Sequence, residues 1–247
     1  MMSRLRDTSS MSWALLAAVQ LTVFAASSLR DAFQELGQRF GEENRGVEVS
    51  FNFAGSQELR TQLQQGARAD VAAFADQPQF QALAFENLVG PPAIFARNQL
   101  ALIVPRGNPA KVLDLRDLPL ARRIVVGDPS VPIGSYTLRL LDAASARYGA
   151  GFRRKVEERV SSRELNVRQV LAKVRLGEAD AGIVYRSDAL EAKAAVETIP
   201  ISAELNLEAT YPIAVLRNAP QPQLAAAFVR LVLSAEGRAV LARHGFQ

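Results

Sequence analysis

The chain has 247 residues, 49% of them hydrophobic and 22% charged, with a formal net charge of +4 and no cysteine. Length and balance fit an ordinary globular protein of one large or two medium domains, and exclude a disordered, fibrous or disulfide-stapled chain. Thiolate metal sites and a Cys nucleophile are excluded too, and a Ser-His-Asp triad or His-rich metal site would have to be built from the lone His244.

At the N-terminus, Arg4 and Arg6 precede a short apolar stretch from Met11 to Val19, which resembles the charged and hydrophobic parts of an abbreviated export signal. The run is too short for a membrane span and is followed by Gln20, so residues 1–20 are set apart from the fold. An export signal implies a periplasmic or other extracytoplasmic location.

From Leu21 the elements alternate. A strand running through Thr22-Val-Phe-Ala-Ala leads by Ser27-Ser28 into a helix with Leu29, Ala32, Phe33, Leu36 and Phe40 on one face, which Gly41 is expected to end. A second strand, Val47 to Phe53, passes through Ala54-Gly55-Ser56 into a helix carrying Leu59 and Leu63 and stopped by Gly66. Asp70 to Ala75 reads as a third strand, before a helix opened by Pro78. Repeated βα units imply parallel strands with right-handed crossovers.

At Asn98 the texture changes to a buried strand, Gln99 to Val104, closed by Pro105-Arg-Gly-Asn-Pro109. A strand from Arg123 to Asp128 follows, then Pro129-Ser-Val-Pro-Ile-Gly134, then a helix with Leu140, Leu141, Ala144 and Tyr148 inward. Asn166 is a natural N-cap for a helix with Val167, Val170, Leu171 and Val174 on one side. Ala181 to Tyr185 is a short strand that delivers Tyr185 at its carboxyl end, where open α/β sheets hold their ligands. A strand from Tyr211 to Leu216 and two helices, opened near Pro220 to Pro222 and at Ser234, complete the chain.

Four junctions of this kind share one layout. A serine at the head of a helix caps it with its hydroxyl, and the free N–H groups of the first turn point at whatever lies in front of them, as in an anion site. Pro132 and Gly134 fix the third junction so that the N–H of Ile133 faces outward.

Other chemistry finds little support. The basic clusters Arg122-Arg123 and Arg153-Arg154-Lys155 are short and interleaved with Asp117, Glu157 and Glu158, so they read as solvated helix faces and no nucleic-acid partner is expected. No G-x-S-x-G elbow, Walker loop or G-x-G-x-x-G fingerprint occurs. Ser28, Asp128 and Tyr185 are the best catalytic candidates, yet no base stands beside any serine, so no enzyme activity and no catalytic residue is expected.

The chain resembles the substrate-binding proteins of bacterial molybdate ABC transporters, from about Leu21 to the C-terminus. The resemblance rests on Thr22 to Leu29, Ala54-Gly-Ser56, Ala69-Asp70, Ala75-Asp-Gln77, Val126 to Pro129, Val131 to Gly134, Asn166-Val-Arg168, Gly182 to Tyr185, Ser187-Asp188 and Tyr211-Pro212. It departs at Phe74, where a small hydroxyl residue is usual, at Arg68, where proline is frequent, and at Ile133, where alanine is common.

The resemblance implies an α/β, two-lobed type II periplasmic-binding-protein fold with two hinge crossovers. Lobe 1 would comprise 21–97 plus 210–247 and lobe 2 98–209. In that family the oxyanion is held by two first-lobe serines, backbone N–H groups of the second lobe and a tyrosine hydroxyl. The corresponding positions are Ser28 and Ser56, Ile133 and Val167, and Tyr185.

The implied ligand is molybdate or tungstate, with no cofactor and no bare metal ion. The implied partner is an ABC transporter permease, and the protein is expected to act as a monomer. A host offering donors and no carboxylate suits an unprotonated dianion, whereas phosphate also wants an acceptor. Two readings compete: a binding protein of the same fold for sulfate or another oxyanion, and the ligand-sensing domain of a regulator, although no helix-turn-helix fits before Leu21.

Overall fold

The computed structural model describes residues 18–247, so the export-signal reading of the N-terminal segment lies almost wholly outside the described residues. The first strand, β1 (Val19–Ala26), starts two residues before the expected Leu21 because Val19 and Gln20 already pair with Val47 and Glu48. A 3-10 turn (Ser27–Leu29) follows, then α1 (Arg30–Glu43), β2 (Val47–Ala54), α2 (Ser56–Gln64), β3 (Val71–Ala73) and α3 (Gln77–Phe85). Both β2 and β3 lie parallel to β1, with Val23 opposite Phe51 on one side and Val71 on the other, as the βα repeat implies.

Gly41 does not end α1. The helix runs on to Glu43 and stops where the Asn44 amide donates to the Phe40 carbonyl at 2.8 Å, a side-chain cap that satisfies an orphan carbonyl. Gly41 instead lets the helix lie close to the β2 backbone at Val47. The buried face is the expected one, Ala32, Phe33, Leu36 and Phe40. Phe33 and Phe40 meet Phe228 edge-on at centroid distances of 6.0 and 5.5 Å, the favoured geometry for aromatic pairs.

The strand expected from Gln99 is the second half of a longer one, β4 (Ala93–Pro105). Its first half, through Gln99, runs antiparallel to β9 (Glu208–Val215), which in turn runs antiparallel to β3. From Leu100 onward β4 belongs to a second sheet, between β7 (Ala181–Tyr185) and β8 (Val196–Ile199). Only that half is buried on both faces, which is why the apolar texture begins near Asn98 while the pairing begins at Ala93.

The second sheet is completed by β5 (Ile124–Gly127), parallel to β7 and to β6 (Val160–Glu164). Helices α4 (Pro132–Tyr148), α5 (Phe152–Glu157), α6 (Val167–Arg175) and α7 (Arg186–Glu191) accompany it, and α8 (Pro222–Leu233) and α9 (Ala235–Arg243) return to the first sheet. The protein is thus two α/β lobes joined by β4 and β9. Asp70, buried between the first sheet and the head of α8, accepts from Thr22 N at 2.8 Å and from Gln221 N at 2.6 Å, tying β1 to the C-terminal helices.

Candidate functional site

Where the lobes face each other they form a cavity of about 10 Å³, far below the range of pockets for organic ligands. It is formed by the heads of helices. The first lobe contributes Ser27, Ser28, Gly55, Ser56 and Ala75, and the second contributes Pro132, Ile133, Asn166, Val167 and Tyr185. All five residues singled out from the sequence, Ser28, Ser56, Ile133, Val167 and Tyr185, therefore line one cavity.

The serines do not cap their helices. Ser28 is the middle residue of the 3-10 turn and Ser56 is the first residue of α2, whose N-cap is Gly55. A capping side chain must come from the residue before helical geometry begins, and each serine stands too late for that. Their hydroxyls turn elsewhere. Ser56 Oγ accepts from Ala75 N at 3.1 Å, and Ser28 Oγ lies 3.2 Å from the Tyr211 hydroxyl. Both serines are buried.

In the second lobe one helix head carries a side-chain cap, the expected Asn166, and the other a proline. Pro132 is the first residue of α4, and Ser135 N closes the first turn on Val131 O at 3.0 Å, leaving Ile133 N–H ahead of the ladder. Gly134 is required there, because a Cβ would overlap the Asp128 carbonyl, well inside 3.0 Å. Asn166 caps α6 by accepting from Gln169 N at 3.1 Å, so Val167 N–H likewise stands free at the helix head.

Tyr185 ends β7 and is 1% exposed, and its hydroxyl has no hydrogen-bond partner among the described residues. A buried hydroxyl without a partner costs about 1–3 kcal/mol. Burial pushes its pKa well above the ordinary phenol value, so it is a neutral donor. Edge-on packing against Tyr136 and Tyr211, at centroid distances of 6.3 and 6.0 Å, fixes the ring.

No charged side chain lines the cavity among the described residues. The nearest carboxylate in sequence is Asp76, buried next to Ala75, where it caps α3 through Gln79 N at 3.2 Å. Burial raises its pKa to about 6 from 3.8, opposed by that hydrogen bond and by Arg60. A carboxyl whose folded pKa is raised adds stability that is complete below the unfolded value and lost as pH rises through the folded one, here about 3 kcal/mol between pH 4 and 7. Asp76→Asn keeps a good cap, so its melting temperature should fall less steeply than that of the wild type over this interval. Parallel melting curves against pH would contradict the assignment.

Three contacts draw the lobes together around the cavity. Gln57 Nε2 donates to Leu165 O at 2.9 Å, Gln79 Nε2 donates to Ser130 O at 3.1 Å, and Arg168 on α6 pairs with Asp31 on α1. Arg168 Nε also lies 2.8 Å from Asp188 Oδ1, without hydrogen-bond alignment, so that contact is coulombic. These contacts were not anticipated from the sequence. Arg168 stands in a quoted motif, but nothing in residue type or spacing places it across a cleft from Asp31.

Comparison with known proteins identifies the lineage. The family described as "Bacterial extracellular solute-binding protein" matches residues 21–247. The molybdate-binding protein ModA of Mycobacterium tuberculosis (strain ATCC 25618 / H37Rv) is 42% identical over 231 residues, 93% of this chain and 85% of that one. Among solved structures, a substrate-binding domain assigned to a molybdenum ABC transporter of Clostridium difficile is 26% identical with a TM-score of 0.68, covering 93% of this chain and 98% of that one. The sulfate-binding protein SubI of M. tuberculosis H37Rv has a TM-score of 0.82 at 20% identity, covering 92% and 86%, which shows the shared fold alone. No helix among the described residues is long and apolar enough to cross a membrane. This chain belongs to the bacterial extracellular solute-binding proteins, extracytoplasmic and non-enzymatic transport proteins that work with a membrane permease, here in the two-lobed type II periplasmic-binding-protein fold.

Proposed function

We propose that this protein binds molybdate, and tungstate with it, between its lobes and delivers the ion to an ABC transporter permease. The observation that carries the reading is the buried, unpartnered Tyr185 hydroxyl in a small neutral cavity shared with Ser28, Ser56 and the heads of α4 and α6. Every polar group offered there by these residues is a hydroxyl or a backbone N–H. A tetrahedral dianion that carries no proton accepts from all of them, while the helix heads supply partial positive charge. The 42% identity to a molybdate-binding protein supports the choice of ion. Sulfate has the same charge and similar shape, and is the competing ligand.

Each serine is assigned as a donor to the ion, as are Ile133 N, Val167 N and the Tyr185 hydroxyl. The ligand touches both lobes, so its binding favours the closed arrangement, which the permease reads. The protein acts as a monomer, without resident cofactor or bare metal ion and without a nucleic-acid partner.

A micromolar or tighter complex at 1 mM molybdate gains about 4 kcal/mol or more of stability. For a protein of this size that raises the melting temperature by roughly 8–16 °C. Ser28→Ala and Ser56→Ala each remove a hydrogen bond to a charged ligand, worth about 1.5–3 kcal/mol, and should cut that shift by about half. If both variants shift like the wild type, the serines are not ligands.

A further inference from the structure

The two cavity serines differ in what fixes their hydroxyl protons. A serine hydroxyl has one proton and two lone pairs, and its rotor settles according to its neighbours. At Ser56 the neighbour is a backbone N–H, that of Ala75, which can only donate. Ser56 Oγ therefore accepts there, and its own proton is left for the cavity. At Ser28 the neighbour is another hydroxyl, Tyr211, 3.2 Å away, and either group can donate.

The surroundings of Tyr211 settle the direction. Tyr211 is wholly buried on β9 and does not line the cavity. Ser28 Oγ is the hydrogen-bond partner of its hydroxyl among the described residues. Asn98, on the neighbouring strand β4, is engaged elsewhere: its Oδ1 accepts from Gln99 N at 2.9 Å and its Nδ2 donates to Ser187 Oγ at 2.8 Å, so it does not take the Tyr211 proton. A buried phenol proton is costly to leave without a partner, so Tyr211 donates it to Ser28 Oγ. Burial keeps the phenol protonated.

We infer that Tyr211 is a positioning residue for specificity: by donating to Ser28 Oγ it locks the Ser28 hydroxyl as a donor toward the bound ion. With both serine oxygens accepting from the protein side, each hydroxyl proton has the cavity as its outlet and is offered to the ligand. An anion that carries a proton, such as hydrogen phosphate or hydrogen arsenate, then meets donors alone and is rejected.

This inference rests on the proposed oxyanion function, and a calorimetric double-mutant cycle separates the two. Wild type, Tyr211→Phe, Ser28→Ala and the double variant are titrated with molybdate and with arsenate near pH 7. Tyr211→Phe should bind molybdate about 10-fold more weakly while its discrimination against arsenate shrinks. Ser28→Ala should cost much less in the Tyr211→Phe background than in the wild type. A purely structural Tyr211 would leave the two effects multiplicative and the molybdate-to-arsenate ratio unchanged, which would overturn the inference while leaving the function standing.

Wild type that binds neither molybdate nor tungstate would overturn both.

Discussion

Gly55→Ala is expected to weaken anion binding by two orders of magnitude or more, with little change in the melting temperature of the ligand-free protein. Gly55 is the N-cap of α2, with φ −65° and ψ 142°, a conformation that alanine adopts freely. Its own lobe resists a Cβ only through the Gln57 side chain, which is flexible. The obstacle is the Leu165 carbonyl of the other lobe, which a Cβ would meet well inside 3.0 Å.

Backbone on both sides of that contact leaves no side chain to move, so the lobes must stay apart. Holding them apart withdraws Ile133, Val167 and Tyr185 from an ion resting on Ser28 and Ser56, and breaks the bond from Gln57 to Leu165 O. Losing the second-lobe donors costs several charged hydrogen bonds at about 1.5–3 kcal/mol each. Calorimetry and thermal melting of the same variant check the two halves of this result. Unchanged affinity would show that the closed arrangement is not the binding one.

Arg168→Met is expected to destabilise the protein by about 3–5 kcal/mol near pH 8, the usual cost of stripping a buried charge of its partner. Asp188 has a side-chain exposure of 0%, and Arg168 lies 2.8 Å from it. Even beside that guanidinium, burial holds the Asp188 carboxyl up at about 6. Without the arginine it rises further, so the folded state escapes the penalty by taking up a proton as pH falls. The melting temperature should therefore drop by roughly 6–20 °C near pH 8 and by much less near pH 5.

Adding Asp188→Asn to Arg168→Met should recover part of the loss near pH 8. The same substitution removes the pairing with Asp31 on the opposite lobe, so ligand affinity should fall as well. An equal loss at both pH values would show that Asp188 is not the buried charge responsible.

What was legible in the sequence follows from where information is local. Helix faces and heads are set by near neighbours, so the apolar stripes of α1, α4 and α6 and the Asn166 and Ser234 caps could be read directly. The serines at the β1 and β2 exits were correctly placed at helix heads, but their hydroxyl partners, Tyr211 and Ala75, lie 183 and 19 residues away. Nothing within one turn announces such partners, so capping was the natural expectation.

The start of β4 was missed because its first half pairs on a lobe-1 face with exposed positions such as Ile94, which hides the apolar run. Strands β6 and β8 are short and carry several exposed positions, which leaves no clear alternation to see. The need for a small side chain at Gly55 appears only when Leu165 is brought against it. The cavity-lining set came from a family resemblance, because backbone N–H donors such as those of Ile133 and Val167 leave no signature in residue type.

The central claim is a neutral cage of donors for an unprotonated tetrahedral dianion. Calorimetric titration of the purified protein with molybdate, tungstate, sulfate and phosphate tests it most directly. Dissociation constants of about 1 µM or tighter are predicted for molybdate and tungstate, with no detectable binding of sulfate or phosphate. Sulfate binding as tight as molybdate would contradict the choice of ion, and tight phosphate binding would contradict the donor-only cage itself.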